Sequence, residues 1–328
     1  MELSRSTVIT YRHNDMEDLR KILQSIADDD KRLKRDTLQQ RRYLMAWLEV
    51  CTISCIYTSY VLTIPYYAIS TCRFIVCEGL YRITGDISPL PEIMKLKEKF
   101  CYRLILDEST SFGVMGATGR GVTEHFGLNI NDIEVVTISL DTTLCSVGGL
   151  CVGSHEVVDH QRLSGAGYCF SAAAPPFLST AAIAALNRLE DKGTSLMLDL
   201  NKNALRMKTA LRKIKNFQLS SDFLAAEVGG QDVDGDWNSP LMFLSLIPSV
   251  NRTWEEDEIM IHQLCEMCLE RGVGVTTLKF NSEWLSSLNK DLIRPSLRIC
   301  ASTVLKAKEI THAIAIIKEC AATIKPRQ

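Results

Sequence analysis

The sequence predicts an α/β protein: a large domain on a mostly parallel sheet covered by helices, followed by a smaller α+β domain. Three observations predict it. Between Arg73 and Asn216, short apolar runs ending in acids or glycine alternate with longer helical runs. Strands alternating with helices form a largely parallel sheet covered on both faces. After about Asn216 the segments become shorter and mixed, with strands and helices no longer in strict alternation. The composition, 46% hydrophobic and 23% charged over 328 residues, supplies a sizeable core and argues against disorder.

The elements follow in order. Met16, Leu19, Ile22, Leu23 and Ile26 recur at helical spacing, with Asn14 or Asp15 as N-cap and acids in the first turn. The charged stretch DDDKRLKRDTLQQRR reads as a solvated helix end or loop. From Val50 to Cys72 no residue is charged, and the run is long enough to cross a bilayer as a helix. Its β-branched residues and Pro65 weaken the helical reading, so a buried or disordered inserted segment is expected instead. FIVCEG, YRLILDES, EVVTISL and GGLCVG read as strands. SPLPEIMKLKEKF, HEVVDHQRL, PPFLSTAAIAALNRLE and SLMLDLNKNALRMKTALRKI read as helices, the last two as separate elements. In the tail, PLMFLSLI, VGVTTLKF and SLRICAS read as strands, and EIMIHQLCEMCLERG and KAKEITHAIAIIKECAATI as helices. The division of the chain is 1–42, 43–72, 73–216 and 217–328.

Bulk properties exclude some classes. Net charge is −2 with both signs intermixed, so the clustered basic face of a nucleic-acid binder is missing. The twelve cysteines lie mostly singly inside apolar runs, as free thiols do in a reducing compartment. The first residues have no apolar signal-peptide core. Cys265 and Cys268 have zinc-like spacing but no second ligand pair, and they fall in a helical apolar pattern. Asp232, Asp234 and Asp236 resemble the start of a calcium loop, yet Trp237 and Phe243 occupy the positions that need glycine and glutamate. Cys145 has no neighbouring base, and His155 and His160 read as surface or packing histidines.

The segment LILDESTSFGVMGATGRGVTEHFG carries the most information. A strand ends in Asp107-Glu108, and a loop follows with Gly113, Gly116, Gly119 and Gly121. It is not a dinucleotide fingerprint, since G-x-G-x-x-G is missing. Two readings stand: a loop that needs glycine for its turns, or an acid at a strand end that can hold a protonated ring nitrogen.

This segment resembles the D-E-x-H-S-x-G-x-x-G-x-x-G-R-G signature of the α-oxoamine synthases, enzymes that use pyridoxal phosphate (PLP) to condense an amino acid with an acyl-CoA. FIVCEGLYRITGDISPLPEI, VDHQRLSGAGYCFSAAAPP and PSLRICAS fit the same family in the same order. Within it, ELSRSTVITYRHNDM and DHQRLSGAGYCFSA are most similar to the non-catalytic (subunit 1 type) members of the serine palmitoyltransferase branch. The resemblance implies the type I PLP-dependent transferase fold, with a large domain truncated at its N-terminus and a small C-terminal domain. It leaves out about Tyr43–Cys72, an insertion of the kind a retained intron would supply. With its early strands missing, the sheet is expected to carry an unpaired edge.

The resemblance also implies roles. Catalytic members place a Schiff-base lysine where this chain has Thr142, so no catalytic residue is expected here. The family histidine that would contact the cofactor's ring hydroxyl falls at Thr110. Asp107 keeps the position of the pyridinium acid. Ser171 is placed to reach a partner's cofactor phosphate, or else serves as a helix N-cap or turn serine. Gly148 and Gly149 would allow close approach at a dimer interface. Arg298 matches the arginine that grips the substrate carboxylate, or else forms a structural ion pair. The implied assembly is a heterodimer with the catalytic long-chain-base subunit 2, which holds the PLP. That complex condenses L-serine with palmitoyl-CoA at the cytosolic face of the endoplasmic reticulum membrane. Two other classes remain: a truncated regulatory isoform that binds the catalytic subunit without turnover, and an independent homodimer that holds PLP non-covalently.

Overall fold

The computed structural model describes residues 7–36, 60–63, 73–222, 238–278 and 293–324. Two compact units divide the chain. One comprises residues 1–80 and 87–193, the other 81–86 and 194–328.

The first unit begins with β1 (Thr7–Thr10) and α1 (Met16–Asp36). Asp15 accepts from the Glu17 and Asp18 amides and starts the helix. Leu19 and Leu23 on its inner face are fully buried. Next come β2 (Tyr60–Thr63), β3 (Phe74–Glu78), α2 (Leu90–Phe100) and β4 (Arg103–Asp107). A four-residue helix α3 (Val122–His125) precedes β5 (Val135–Ser139) and β6 (Gly149–Gly153). The sheet order is β1-β2-β3-β4-β5-β6. The β3–β4 and β4–β5 pairs are parallel. All five residues of β3 are buried, as expected of a strand covered on both faces.

The α/β class therefore stands, with a mixed sheet: parallel at its centre and antiparallel at both flanks. β5 and β6 form an antiparallel pair, because the segment joining them is too short for the crossover a parallel pair needs. The sheet is open, as expected, but among the described residues its edge lies at β1 rather than at β3. β2 pairs antiparallel with β3, and β1 with β2. β2 lies inside the segment read as an insertion; its residues Tyr-Val-Leu-Thr have the β-branched and aromatic character that suits a strand. The rest of Val50–Cys72 lies outside the described residues. Arg73 donates to Asp30 through both terminal nitrogens at 2.5 and 2.6 Å, which fixes the entry to β3 against α1. Among the described residues, no helix is long and apolar enough to cross a membrane.

After β6 come α4 (His155–Ser164), α5 (Ala166–Cys169) and α6 (Pro176–Leu211). The two helices expected between Pro175 and Ile214 are one continuous helix of 36 residues. Gly193 does not break it, since a lone interior glycine costs only about 1 kcal/mol against alanine. A side chain there would fall on the Thr118 carbonyl, so close approach of the loop requires glycine. The two compact units divide within this helix, after Gly193, whereas the composition change lies near Asn216.

The second unit carries a four-stranded antiparallel sheet in the order β7-β8-β10-β9. Its elements are β7 (Phe217–Leu219), β8 (Leu241–Leu246), α7 (Trp254–Glu270), β9 (Thr276–Thr277), β10 (Ser296–Cys300) and α8 (Ala307–Thr323). Thr253 and Glu256 form a reciprocal capping box at the start of α7. Ile261, Leu264 and Cys268 of α7 pack with Ile310, Ile314 and Ile317 of α8 over Leu244 and Leu297. Arg252 and Asp257, both about 5% exposed, pair at 2.7 Å behind the cap.

Candidate functional site

The candidate site lies at the C-terminal ends of β4 and β5, where ligands enter an open α/β sheet. Asp107 is buried at the last position of β4, and its backbone carbonyl accepts from the Gly79 amide at 2.8 Å. Its carboxylate Oδ1 accepts from the Ser109 amide at 2.7 Å. This turns the chain sharply out of the strand.

Glu108 points the other way and organises the glycine-rich loop. The Val122 amide donates to both carboxylate oxygens at 3.1 Å, and the Ser111 hydroxyl donates to Oε2. These bonds hold the start of α3 beneath the end of β4. Gly121, at φ 93°, lies directly over the carboxylate, and a β-carbon there would strike Glu108. Burial pushes the Glu108 carboxyl up to about 7, against the hydrogen bonds from Ser111, Val122 and Thr123 that favour its charge. Farther along, Glu124 gathers the Thr118 hydroxyl and the Thr118 and Arg120 amides. Against a burial penalty, these bonds hold Glu124 below the usual carboxylate range.

The β5–β6 hairpin docks on this loop. The Ser139 amide donates to the Ser109 hydroxyl at 2.8 Å. Thr142 Oγ1 donates to the Ser109 carbonyl at 2.8 Å, and Thr143 Oγ1 to the Phe112 carbonyl at 2.7 Å. Asp107 and Thr142 are thereby both bonded to one residue, Ser109. No lysine stands anywhere in the hairpin. Thr142, at the position where the resemblance expects an amine, uses its hydroxyl to close two loops together.

Beyond the hairpin, the first unit presents an apolar face to solvent. Val147, Leu163, Tyr168, Phe177 and Ile183 are exposed, and Phe170 is 90% exposed. On the other side of α6, Ala182 packs with Leu140 and Leu144, and the Ser146 hydroxyl donates to the Leu178 carbonyl. The start of α6 is thus apolar on the side it buries and on the side it leaves open. Ser171 lies in this stretch. It is not an N-cap: its hydroxyl donates to the Gly167 carbonyl at 2.5 Å, as a turn serine. That settles the local role and leaves the side chain exposed.

Arg298 lies in the second unit. Strand alternation sends Leu297 and Ile299 into the core and Arg298 to the opposite face, with Phe243 and Thr276 as its register partners. Among the described residues it makes no ion pair, and its Nε is buried without a hydrogen-bond partner. The ion-pair reading is not what these residues form. Asp232, Asp234 and Asp236 lie outside the described residues. Cys265 donates to the Val275 carbonyl, and Cys268 packs in the core. His155 pairs with Asp159 on the surface of α4. Glu108, which sequence reasoning passed over beside Asp107, is the residue with most consequence for the loop. Its signal was the glycine at 121, thirteen residues on.

The chain belongs to the aminotransferase class I and II family, whose model matches residues 1–317. Its curated relatives narrow this. It is 32% identical to serine palmitoyltransferase 1 of Dictyostelium discoideum, over 98% of this chain and 57% of the relative. It is 32% identical to long chain base biosynthesis protein 1 of Arabidopsis thaliana, over 99% of this chain and 56% of the relative. The chain thus spans little more than half the length of these relatives. Among solved structures, a serine palmitoyltransferase of Sphingomonas wittichii is similar at a TM-score of 0.66 and 22% identity, covering 95% of this chain and 60% of that one. An 8-amino-7-oxononanoate synthase of Francisella tularensis is similar at a TM-score of 0.51 and 21% identity, over 76% and 63%. These structures establish the shared type I transferase fold.

Proposed function

We propose that this chain acts as the non-catalytic subunit of a serine palmitoyltransferase, in the condensation of L-serine with palmitoyl-CoA to 3-oxosphinganine. The observation that carries this reading is Thr142. The relatives named serine palmitoyltransferase 1 point to the activity, yet the hairpin that would bear the Schiff-base lysine has no amine, and its hydroxyl is committed to the Ser109 carbonyl. A Schiff base with the cofactor's aldehyde needs such an amine. The residues present do not fit a covalently anchored PLP. The cofactor belongs on the catalytic partner, long-chain-base subunit 2, and Asp107 is a retained acid without its own chemistry.

The apolar face supports a partner. A helix that is apolar all round is ordinarily buried, and a contiguous exposed apolar patch marks an interaction site. Phe170, Phe177 and Ile183 are large apolar side chains left exposed around the start of α6, in the same stretch as Ser171. The partner would cover them, and this chain would complete the partner's site there. The complex would work at the cytosolic face of the endoplasmic reticulum membrane. Arg298 would then hold a substrate carboxylate only if the partner's site reaches it.

Co-expression with the catalytic subunit, followed by pull-down and a condensation assay, tests the reading. Product formed by the pair and none by either chain alone is the expected result. Binding without turnover favours the regulatory isoform instead. Carbon dioxide released from serine and palmitoyl-CoA by this chain alone, with PLP added, sinks the proposal.

A further inference from the structure

The second unit holds a surface cavity of about 350 Å³ that the proposed function does not use. It is lined by Met260, Gln263, Glu266, Met267 and Glu270 of α7, and by Thr323 and Ile324 at the end of α8. Its floor is soft and apolar. Met260 and Met267 are half-buried and stand seven residues apart, two turns along one side of α7. Unbranched methionine adapts its shape and recurs at surfaces that accept varied helices. The inward side of the same helix, with Ile261, Leu264 and Cys268, lies in the core; Met260 and Met267 pack against its margin and turn their remaining surface to the cavity.

Among the described residues the rim is acidic and carries no compensating cation. Glu266 and Glu270 are exposed, and no cation pairs with either among the described residues. The nearby Arg271 is already engaged by Glu319 at 3.1 Å. Both glutamates lie at the C-terminal end of α7, where the last turn carries no basic residue. The helix carbonyls there also present negative charge, so two acids at this end are unfavourable unless a cation joins them. An apolar floor beside unneutralised carboxylates is complementary to a segment with an apolar stripe and a basic flank. Helix-in-groove recognition uses this combination, with apolar anchors in the groove and charges setting orientation.

We propose that this groove docks a basic amphipathic helix of another protein, its apolar residues on Met260 and Met267 and its Lys or Arg on Glu266 and Glu270. The site is remote in role from the proposed condensation, so the proposal stands or falls independently of that reading. The test uses the full chain and three fluorescent synthetic peptides of equal length, read by fluorescence anisotropy. One has Leu and Lys at helical spacing, one Leu and Glu at the same spacing, and one is the scrambled Leu/Lys sequence. The Leu/Lys peptide is expected to bind the wild type, and the other two to bind far more weakly. The double substitution Glu266→Gln with Glu270→Gln removes two exposed ion pairs and is expected to weaken binding about tenfold. Both positions are exposed, so the variant keeps its fold, checked by an unchanged melting temperature. No binding by the wild type, equal binding of the Leu/Glu peptide, or undiminished binding by the double variant overturns the proposal. Binding seen only after removal of residues 325–328 also overturns it and names the chain's own basic tail as the occupant.

Discussion

Two loops leave neighbouring strands of the same sheet, and they differ in what their side chains do. The loop after β4 is built around carboxylates: Asp107 turns the chain, Glu108 holds the start of α3, and Glu124 gathers Thr118 and Arg120. The hairpin after β5 has no charged group at its key position; Thr142 and Thr143 spend their hydroxyls on backbone carbonyls of the first loop. The comparison teaches that a site's scaffold and its reactive group are separable. The glycine loop needs its acids to fold, because buried amides must be satisfied. The hairpin needs only two hydroxyls to stay docked, and an amine adds nothing to that.

The largest expected effect tests the first loop. Gly121→Val puts a branched side chain at φ 93° and onto the Glu108 carboxylate. Destabilisation of about 3 kcal/mol or more is expected from the backbone strain and the displaced carboxylate together. Urea unfolding measures it, and a loss under 1 kcal/mol would mean that the loop is not anchored as described.

Glu108→Gln sharpens the same point through pH. Glu108 titrates near 7 when folded, against an ordinary value of 4.5. The folded chain therefore holds this proton more tightly than the unfolded one. Stability from this group is full below about 4.5 and is lost as pH rises toward 7, by up to about 3 kcal/mol. The glutamine variant is expected to lack that decline. Parallel stability–pH curves for the two proteins would refute the upward shift of the buried Glu108 carboxyl.

The hairpin is expected to respond less. Thr143→Val removes a partly buried hydrogen bond to Phe112 while keeping the shape, for a loss of about 1 kcal/mol. Thr142→Val removes an exposed one, for about 0.5 kcal/mol at most. Thermal denaturation of the single and double variants checks both. A Thr142 effect larger than that of Gly121 would invert the comparison.

Much of the first unit was legible in the sequence because its cues are local. Apolar runs ending in Glu78 and Asp107 are β3 and β4, and the periodicity of Leu19 and Leu23 is α1. The acid at Asp107, the glycines after it and the threonine at 142 were all readable as motif positions. What escaped was non-local. That Tyr60–Thr63, inside a segment without family character, is a strand depends on pairing with β3 on one side and with β1, far back in the chain, on the other. That the Thr118 carbonyl packs onto Gly193 within the single helix 176–211 depends on how a loop far back in the chain folds. The lack of a partner for Arg298 Nε among the described residues is likewise a fact of placement.

By itself, the sequence determined the alternation of strands and helices, the order of the motifs, and the absence of an amine from residues 139–149. Those properties reside in residue identity and in spacing along the chain, where period and side-chain chemistry are already complete. Only the tertiary structure decided that Glu108 is buried and its carboxyl shifted upward. It also decided that Thr142 closes on Ser109 and that the start of α6 stays open to solvent. Burial and hydrogen-bond partnership are relations between segments far apart in the chain, and they come into being only when packing chooses which groups lose their water.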